Sequence, residues 1–165
     1  MTKQQLVSIS DWFHASPSRI PALKAVNGVC VLSAAAAFAY GVLWRPGLSD
    51  PKLTLRLVLT CGVPFVLLSA VRHVLDLPRP FEVYDLEPLL PRETPGRSFP
   101  SRHVFSIFVI GPCFCYLETW IGWALIGLGA VLGALRVASA VHFERDVLVG
   151  AAAGVISGVI GFGLI

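Results

Sequence analysis

Charge is the scarcest commodity in this sequence: Asp, Glu, Lys and Arg make up 14% of its 165 residues, while 55% are hydrophobic. So few charges exclude an ordinary water-soluble domain and point to a single domain built for a membrane. An excess of one sign is lacking too. The formal net charge is +3 and the cations are set among apolar residues, which gives nucleic-acid binding no support. Cysteine is sparse, and Cys30, Cys61, Cys113 and Cys115 all fall inside apolar runs. They are expected to be small buried hydrophobes rather than disulfide or metal ligands. Cys113-x-Cys115 has the wrong spacing for a zinc pair, and no nearby histidine joins it. A cleavable signal peptide is not expected, because Met1 to Ser16 is polar and precedes the first apolar run.

What is present is a series of long apolar stretches. Residues 1–19 fit an amphipathic segment in the membrane interface, with Leu6, Ile9, Trp12 and Phe13 on one side and Lys3, Asp11 and Arg19 towards water. A frayed tail fits the same residues. Pro21 suits the first turn of a helix. No charge interrupts Ala25 to Trp44, a length that spans a bilayer, and Trp44 and Arg45 are placed to anchor its end. Pro46 to Pro51 reads as a turn. A second span runs from Leu53 to Leu77, with Arg56 and Arg72 expected to snorkel from its ends. Pro78 and Pro80 stop it.

Phe81 to Ser98 is the one long connection, mixing Glu82, Asp85, Glu87 and Glu93 with Leu86, Leu89 and Leu90. An interfacial flap and a plain solvated loop both fit it. A third span starts near His103 and runs through Tyr116. Glu118, Trp120 and Trp123 mark a tight turn, and a fourth span runs from Ile121 to Val141. The fifth, from Arg145 to Ile165, carries Gly150, Gly154 and Gly158 on one face, which allows close helix packing. The expected fold is therefore an all-α membrane bundle of about five transmembrane helices with an N-terminal interfacial segment. Parity has a consequence for function. Val104 to Val141 is long enough for two spans and too long for one, so Arg72, Arg79 and His103 share a membrane face with Arg136, His142 and Asp146.

Those six residues, with Ser101 and Arg102, are the chain's concentrated chemistry. Charges in such apolar surroundings are costly and read first as functional. Guanidiniums suit an anionic phosphate, His142 can serve as a nucleophile, and Asp146 can hold the proton of one imidazole nitrogen. His103, on another segment, can protonate a leaving oxygen. Ser101 stands where a helix N-terminus would bind an anion. His73 and His14 are expected to be interfacial bystanders, and Asp76 is close enough in sequence to pair with Arg72 or Arg79.

Written as a pattern, these residues are R-x6-R-P (Arg72 to Pro80), P-S-R-H (Pro100 to His103) and R-x5-H-x3-D (Arg136 to Asp146). The chain resembles the type-2 phosphatidic acid phosphatases, the membrane branch of the superfamily that includes the vanadium haloperoxidases. Their pattern is K-x6-R-P, P-S-G-H and S-R-x5-H-x3-D. Order and spacings agree, and the departures are Arg72 for Lys, Arg102 for Gly and Leu135 for Ser.

The resemblance implies a phosphohistidine at His142, with Asp146 as its partner and His103 as the acid. Phosphate would be bound by Arg72, Arg79, Ser101 and Arg136, with no metal and no cofactor. Arg102 keeps its backbone N–H, and its side chain is placed for a second phosphate or a headgroup. The expected activity is hydrolysis of a lipid phosphate in a bacterial plasma membrane, from a site leaning to the extracytoplasmic face. A polyprenyl pyrophosphate or polyprenyl-linked phosphate is the first choice of substrate; phosphatidic acid or phosphatidylglycerol phosphate is the second. A non-catalytic protein binding anionic lipid is the reading from another class, and a vanadate-dependent haloperoxidase fits the membrane character less well.

Overall fold

The computed structural model describes residues 1–43, 50–90 and 95–163. The expected anchors Trp44 and Arg45, most of the turn that follows them, Pro91 and Glu93 of the long connection, and Ile165 lie outside those residues. Among the described residues seven helices follow one another: α1 (Lys3–His14), α2 (Arg19–Leu43), α3 (Pro51–Leu75), α4 (Pro80–Tyr84), α5 (Arg102–Leu117), α6 (Thr119–Ala138) and α7 (Glu144–Gly163). No strand occurs among the described residues.

Each boundary has a local cause. Thr2 and Gln5 form a capping box at the start of α1. The Asp50 carboxylate accepts the N–H groups of Lys52 and Leu53 and opens α3. Asp76 ends α3 in the left-handed region at φ 36°, and Pro78 and Pro80 follow it. A single residue, Glu118, separates α5 from α6, and the approach of Gly122 to Cys115, Ile126 to Gly111 and Gly129 to Phe108 shows that the two helices run antiparallel.

Helices α2, α3, α6 and α7 are long and apolar enough to cross a membrane. Helix α5 differs. Its 16 residues rise about 24 Å, short of the ~30 Å hydrocarbon core. The reason is its position: α5 is the central helix, packed mainly against α7 and α6 and also against α2 and α3. Val104, Phe105, Ile107, Val109, Ile110, Cys113 and Phe114 are all buried. A helix shielded by its neighbours need not match the lipid in length.

The glycine stripe explains the closest of these contacts. A Cβ on Gly150 would lie 2.7 Å from the Ser101 carbonyl oxygen, one on Gly154 2.7 Å from that of Phe105, and one on Gly158 2.8 Å from that of Val109. Both sets of residue numbers rise by four, so α5 and α7 run parallel, backbone against side-chain-free backbone. Both therefore begin at the same end of the bundle. Helices α3 and α6 end there.

Among the described residues of the connection 81–98, Leu89 and Leu90 fasten it to this end, while Glu82, Val83, Asp85, Glu87 and Arg97 are exposed. Leu89 and Leu90 are buried in a small cluster with Leu23 and Val141, against which Phe13 of α1 also packs. The remaining apolar core, around Phe105, Phe114, Leu57 and Leu132, fills the middle of the bundle.

Candidate active site

All eight residues singled out from the sequence lie at this end. Arg72 is in the last turn of α3 and Arg136 in the last turn of α6. Arg79 precedes α4, and Ser101 is the N-cap of α5. Arg102 and His103 begin α5, His142 lies in the turn before α7, and Asp146 is in the first turn of α7. Arg72, Arg136 and Asp146 thus each stand at the helix end whose dipole favours their charge. That lowers the cost of burying them.

Burial here is nearly complete. Exposure is 4% for Arg72, 3% for Arg79 and Arg136, 2% for His142 and 0% for Ser101 and Asp146. Arg72 was expected to snorkel to the interface. Instead its Nη1 donates to the carbonyls of Ser98 (3.2 Å) and Pro100 (2.5 Å). The guanidinium is held inside by those two loop carbonyls, whose need for a donor it meets. His103 is half-buried, and Arg102 is exposed.

Asp146 is the hub. Its Oδ2 accepts the Ser98 hydroxyl at 2.5 Å and the Phe143 N–H at 3.0 Å. Its backbone carbonyl accepts the Ser101 N–H at 2.9 Å, which ties the start of α5 to the start of α7. His142 Nδ1 lies 3.7 Å from Oδ2. That separation is too long for a hydrogen bond, so the contact is an electrostatic one. The i,i+4 spacing is not a helical pairing either: α7 starts only at Glu144, and it is the turn before it that turns the imidazole towards the carboxylate.

Arg79 closes the other side. Its Nε donates to the Gly96 carbonyl at 3.0 Å and its Nη1 reaches the Val141 carbonyl at 3.5 Å. Glu82 Oε2 accepts the N–H groups of both Arg79 and Gly96 at 2.8 Å. The backbone N–H of His142 donates to the Arg136 carbonyl at 3.2 Å. Burial pushes the pKa of His142 below the usual histidine range. The Asp146 carboxylate opposes that shift, and the charges of Arg79, Arg136 and Arg72 add to it. The imidazole is therefore neutral near pH 7, as a nucleophile or an acceptor must be.

Several contributors went unnoticed in the sequence. Ser98 holds Asp146, and Glu82 and Gly96 clamp Arg79. Glu82 was read only as one acid among several in the connection. Asp76 pairs with neither Arg72 nor Arg79: its Oδ1 faces Arg97 Nε at 3.8 Å, at an exposed corner. Arg145 Nε lies 3.5 Å from Asp146 Oδ1. The Ser101 hydroxyl is buried and has no hydrogen-bond partner among the described residues. No cluster of three or more His, Cys, Asp or Glu placed to hold a metal ion occurs among the described residues.

A bundle with four helices long and apolar enough to cross a membrane, burying three arginines, a histidine and an aspartate at one end, is an integral membrane protein. The chain belongs to the PAP2 superfamily, whose model matches residues 53–164. It is 31% identical over 117 residues to YbjG of Escherichia coli (strain K12), a candidate undecaprenyl-diphosphatase; the match covers 70% of this chain and 59% of that protein. It is 28% identical over 95 residues to the undecaprenyl-diphosphatase BcrC of Bacillus subtilis (strain 168), covering 55% of this chain and 49% of the relative. The matches thus span between half and three-fifths of those relatives' lengths.

Among solved structures, Aquifex aeolicus LpxE superposes with a TM-score of 0.71 at 25% identity, over 90% of this chain and 87% of that one. The PAP2-type phosphatidylglycerolphosphate phosphatase of Bacillus subtilis superposes with a TM-score of 0.58 at 19% identity, over 97% and 95%. The latter likeness concerns the fold alone.

Proposed function

We propose that this protein is a metal-independent lipid phosphate phosphatase, with a polyprenyl diphosphate as its first substrate. The observation that carries the reading is the buried His142, 3.7 Å from Asp146 Oδ2 and at the same buried end of the bundle as Arg72, Arg79 and Arg136. Arg72, Arg79 and Arg136 balance the charge on the equatorial oxygens of the transferring group, and the Ser101 hydroxyl donates to one of them. Phosphoryl transfer is mainly a matter of placing and neutralising that charge, so no cation is required.

Asp146 keeps the proton on Nδ1, leaving Nε2 to attack phosphorus. The N–P bond forms as the bond from phosphorus to the leaving oxygen breaks, and His103 gives that oxygen its proton. Water then attacks the phosphohistidine, His103 takes back a proton, and inorganic phosphate leaves with His142 restored. From a diphosphate the other product is the lipid monophosphate. Arg102, exposed beside this site, is assigned to the second phosphate or the headgroup. Two relatives named for undecaprenyl diphosphate favour the polyprenyl substrate over phosphatidic acid or phosphatidylglycerol phosphate. We place the protein in a bacterial plasma membrane, with the site facing out of the cytoplasm.

Phosphate release from undecaprenyl diphosphate, phosphatidic acid and phosphatidylglycerol phosphate, with EDTA present, tests the reading. The expected order puts the diphosphate first, with chelation without effect and vanadate inhibiting as a mimic of the pentacoordinate transition state. Activity lost in EDTA and regained with magnesium would overturn the metal-independent mechanism. No turnover of any of the three lipids would leave an anionic-lipid-binding protein.

A further inference from the structure

The connection between α4 and α5 returns to the site through residues 96–98. There the Gly96 carbonyl accepts Arg79 Nε at 3.0 Å and the Ser98 carbonyl accepts Arg72 Nη1 at 3.2 Å. The Ser98 hydroxyl donates to Asp146 Oδ2 at 2.5 Å. Three charged groups of the site therefore depend on where this short segment lies. We propose that Glu82 is its positioning residue: the side chain acts as a hydrogen-bond acceptor, not as a charge, and holds residues 96–98 where they set Arg72, Arg79 and Asp146. This role presupposes the lipid-phosphate reading above.

Three observations support it. First, one oxygen joins the two ends of the connection. Glu82 Oε2 accepts the Arg79 N–H and the Gly96 N–H, each at 2.8 Å. Glu82 is the N3 residue of α4, so helix capping accounts for the first bond. It does not account for the second, which reaches across to the far end of the connection. Second, the returning segment fits one place closely. The Ser98 N–H donates to the Leu77 carbonyl at 2.8 Å. Gly96 sits at φ 71°, and a Cβ on it would lie 2.7 Å from Asp76 Oδ1, so only glycine lets the chain pass there. Third, the acid stands against its own electrostatic interest. Its carboxylate is bonded to the backbone of Arg79, beside the proposed phosphate site, where a negative charge opposes an anionic substrate. Solvent reaches the exposed side chain and screens that repulsion. Two backbone donors that need an acceptor give the acid its purpose.

The test separates reach from charge. Glu82→Gln keeps an acceptor oxygen at the same reach and removes the charge. Glu82→Asp keeps the charge on a side chain one methylene too short to meet both N–H groups. On a polyprenyl diphosphate, Glu82→Gln should retain most of the wild-type kcat/KM. Glu82→Asp should lose about ten- to a hundredfold, the order of effect of moving a charged group by about 1 Å, with the loss carried by kcat. Its affinity for orthovanadate should fall by a similar factor, since vanadate reads the geometry of the transition state. Glu87→Ala, which removes another exposed acid of the connection, should match wild type. A Glu82→Gln protein as impaired as Glu82→Asp would overturn the proposal by making the charge decisive. A fully active Glu82→Asp would overturn it by making reach irrelevant.

The unfolding midpoint and the vanadate affinity guard against a merely structural effect. A lower midpoint in Glu82→Asp at unchanged vanadate affinity would leave Glu82 as a helix cap and overturn the positioning role. The same binding measurement distinguishes this role from the reading beneath it. If wild type and Glu82→Gln bind orthovanadate alike and Glu82→Asp binds it weakly, yet wild type hydrolyses no lipid phosphate, the phosphatase reading fails and the positioning role stands. If wild type turns over the lipid and all the variants bind vanadate equally, the positioning role fails and the phosphatase reading stands.

Discussion

Both ends of this bundle set arginine against helix termini, part-buried at one and fully buried at the other, and they are different in kind. At the far end, the Arg56 Nε donates to the Gly161 carbonyl at 2.6 Å, and its guanidinium lies 5.0 Å from the centre of the Phe162 ring. It thereby satisfies one C-terminal carbonyl of α7, complements that end of the helix dipole and stacks on an aromatic face. At the other end, Arg72, Arg79 and Arg136 gather around a histidine–aspartate pair, with the N-termini of α5 and α7 beside them. An arginine in an apolar helix is therefore not a functional signal by itself. Its company decides. A lone cation at a helix C-terminus completes the fold, whereas several cations that share one buried end with two helix N-termini and a histidine–aspartate pair fit the proposed anion site.

That contrast is testable, beginning with the largest expected effect. His142→Ala should lower phosphate release by at least about 10⁴-fold while the protein still folds and inserts, as loss of a nucleophile does where the members act as a unit. Wild-type-like turnover would remove His142 from that role. Arg136→Ala should cost about 10²–10³-fold in kcat/KM, the usual effect of removing one preorganised charge from a transition state.

The same arginine affects pH dependence. A histidine whose pKa is depressed stays neutral as pH falls below 6.5, so the acid limb of kcat/KM should lie below that value. Arg136→Gln removes one depressing charge and should move the limb upward on the same substrate. An unmoved limb would mean that the titrating group is not His142.

Smaller effects sharpen the comparison. Ser98→Ala removes one of the two hydrogen bonds to Oδ2 of the buried Asp146 carboxylate. It should cost roughly tenfold in kcat/KM, corresponding to the weaker end of a hydrogen bond to a charged group. Ser98→Thr, which keeps the hydroxyl, should restore most of the activity. Arg102→Gly installs the family residue. It should reduce use of a diphosphate lipid by roughly tenfold relative to a monophosphate, because the guanidinium gains most from a further phosphate. An equal change on both substrates would leave Arg102 with only its backbone in the site. Arg56→Met should have the smallest effect on turnover, essentially none, while lowering the unfolding midpoint. A large loss of activity at unchanged stability would dissolve the distinction between the two ends.

The amino-acid order alone determined a good deal. Apolar runs set the helices within a few residues, because a span must cover a bilayer and prolines or single polar residues end it. With those helices, parity placed Arg72, Arg79, His103, Arg136, His142 and Asp146 on one face, and the spacing of the same residues carried the family. The glycine stripe foretold a close contact on α7. What the order could not show was which partners the loops bring in.

Arg72 appeared free to reach the interface, and only folding puts the Ser98 and Pro100 carbonyls beside it. Glu82 and Ser98 resembled ordinary loop residues until the connection folded back on Arg79 and Asp146. Asp76 is near Arg72 in sequence yet points to Arg97, since the left-handed turn that ends α3 directs it outward. The shortness of α5 made sense only once its neighbours shielded it from lipid. Apolar runs and the spacing of the proposed site residues are local or periodic and can be read along the chain. Hydrogen-bond partners for buried charges are set by long-range packing, and only the tertiary structure decides them.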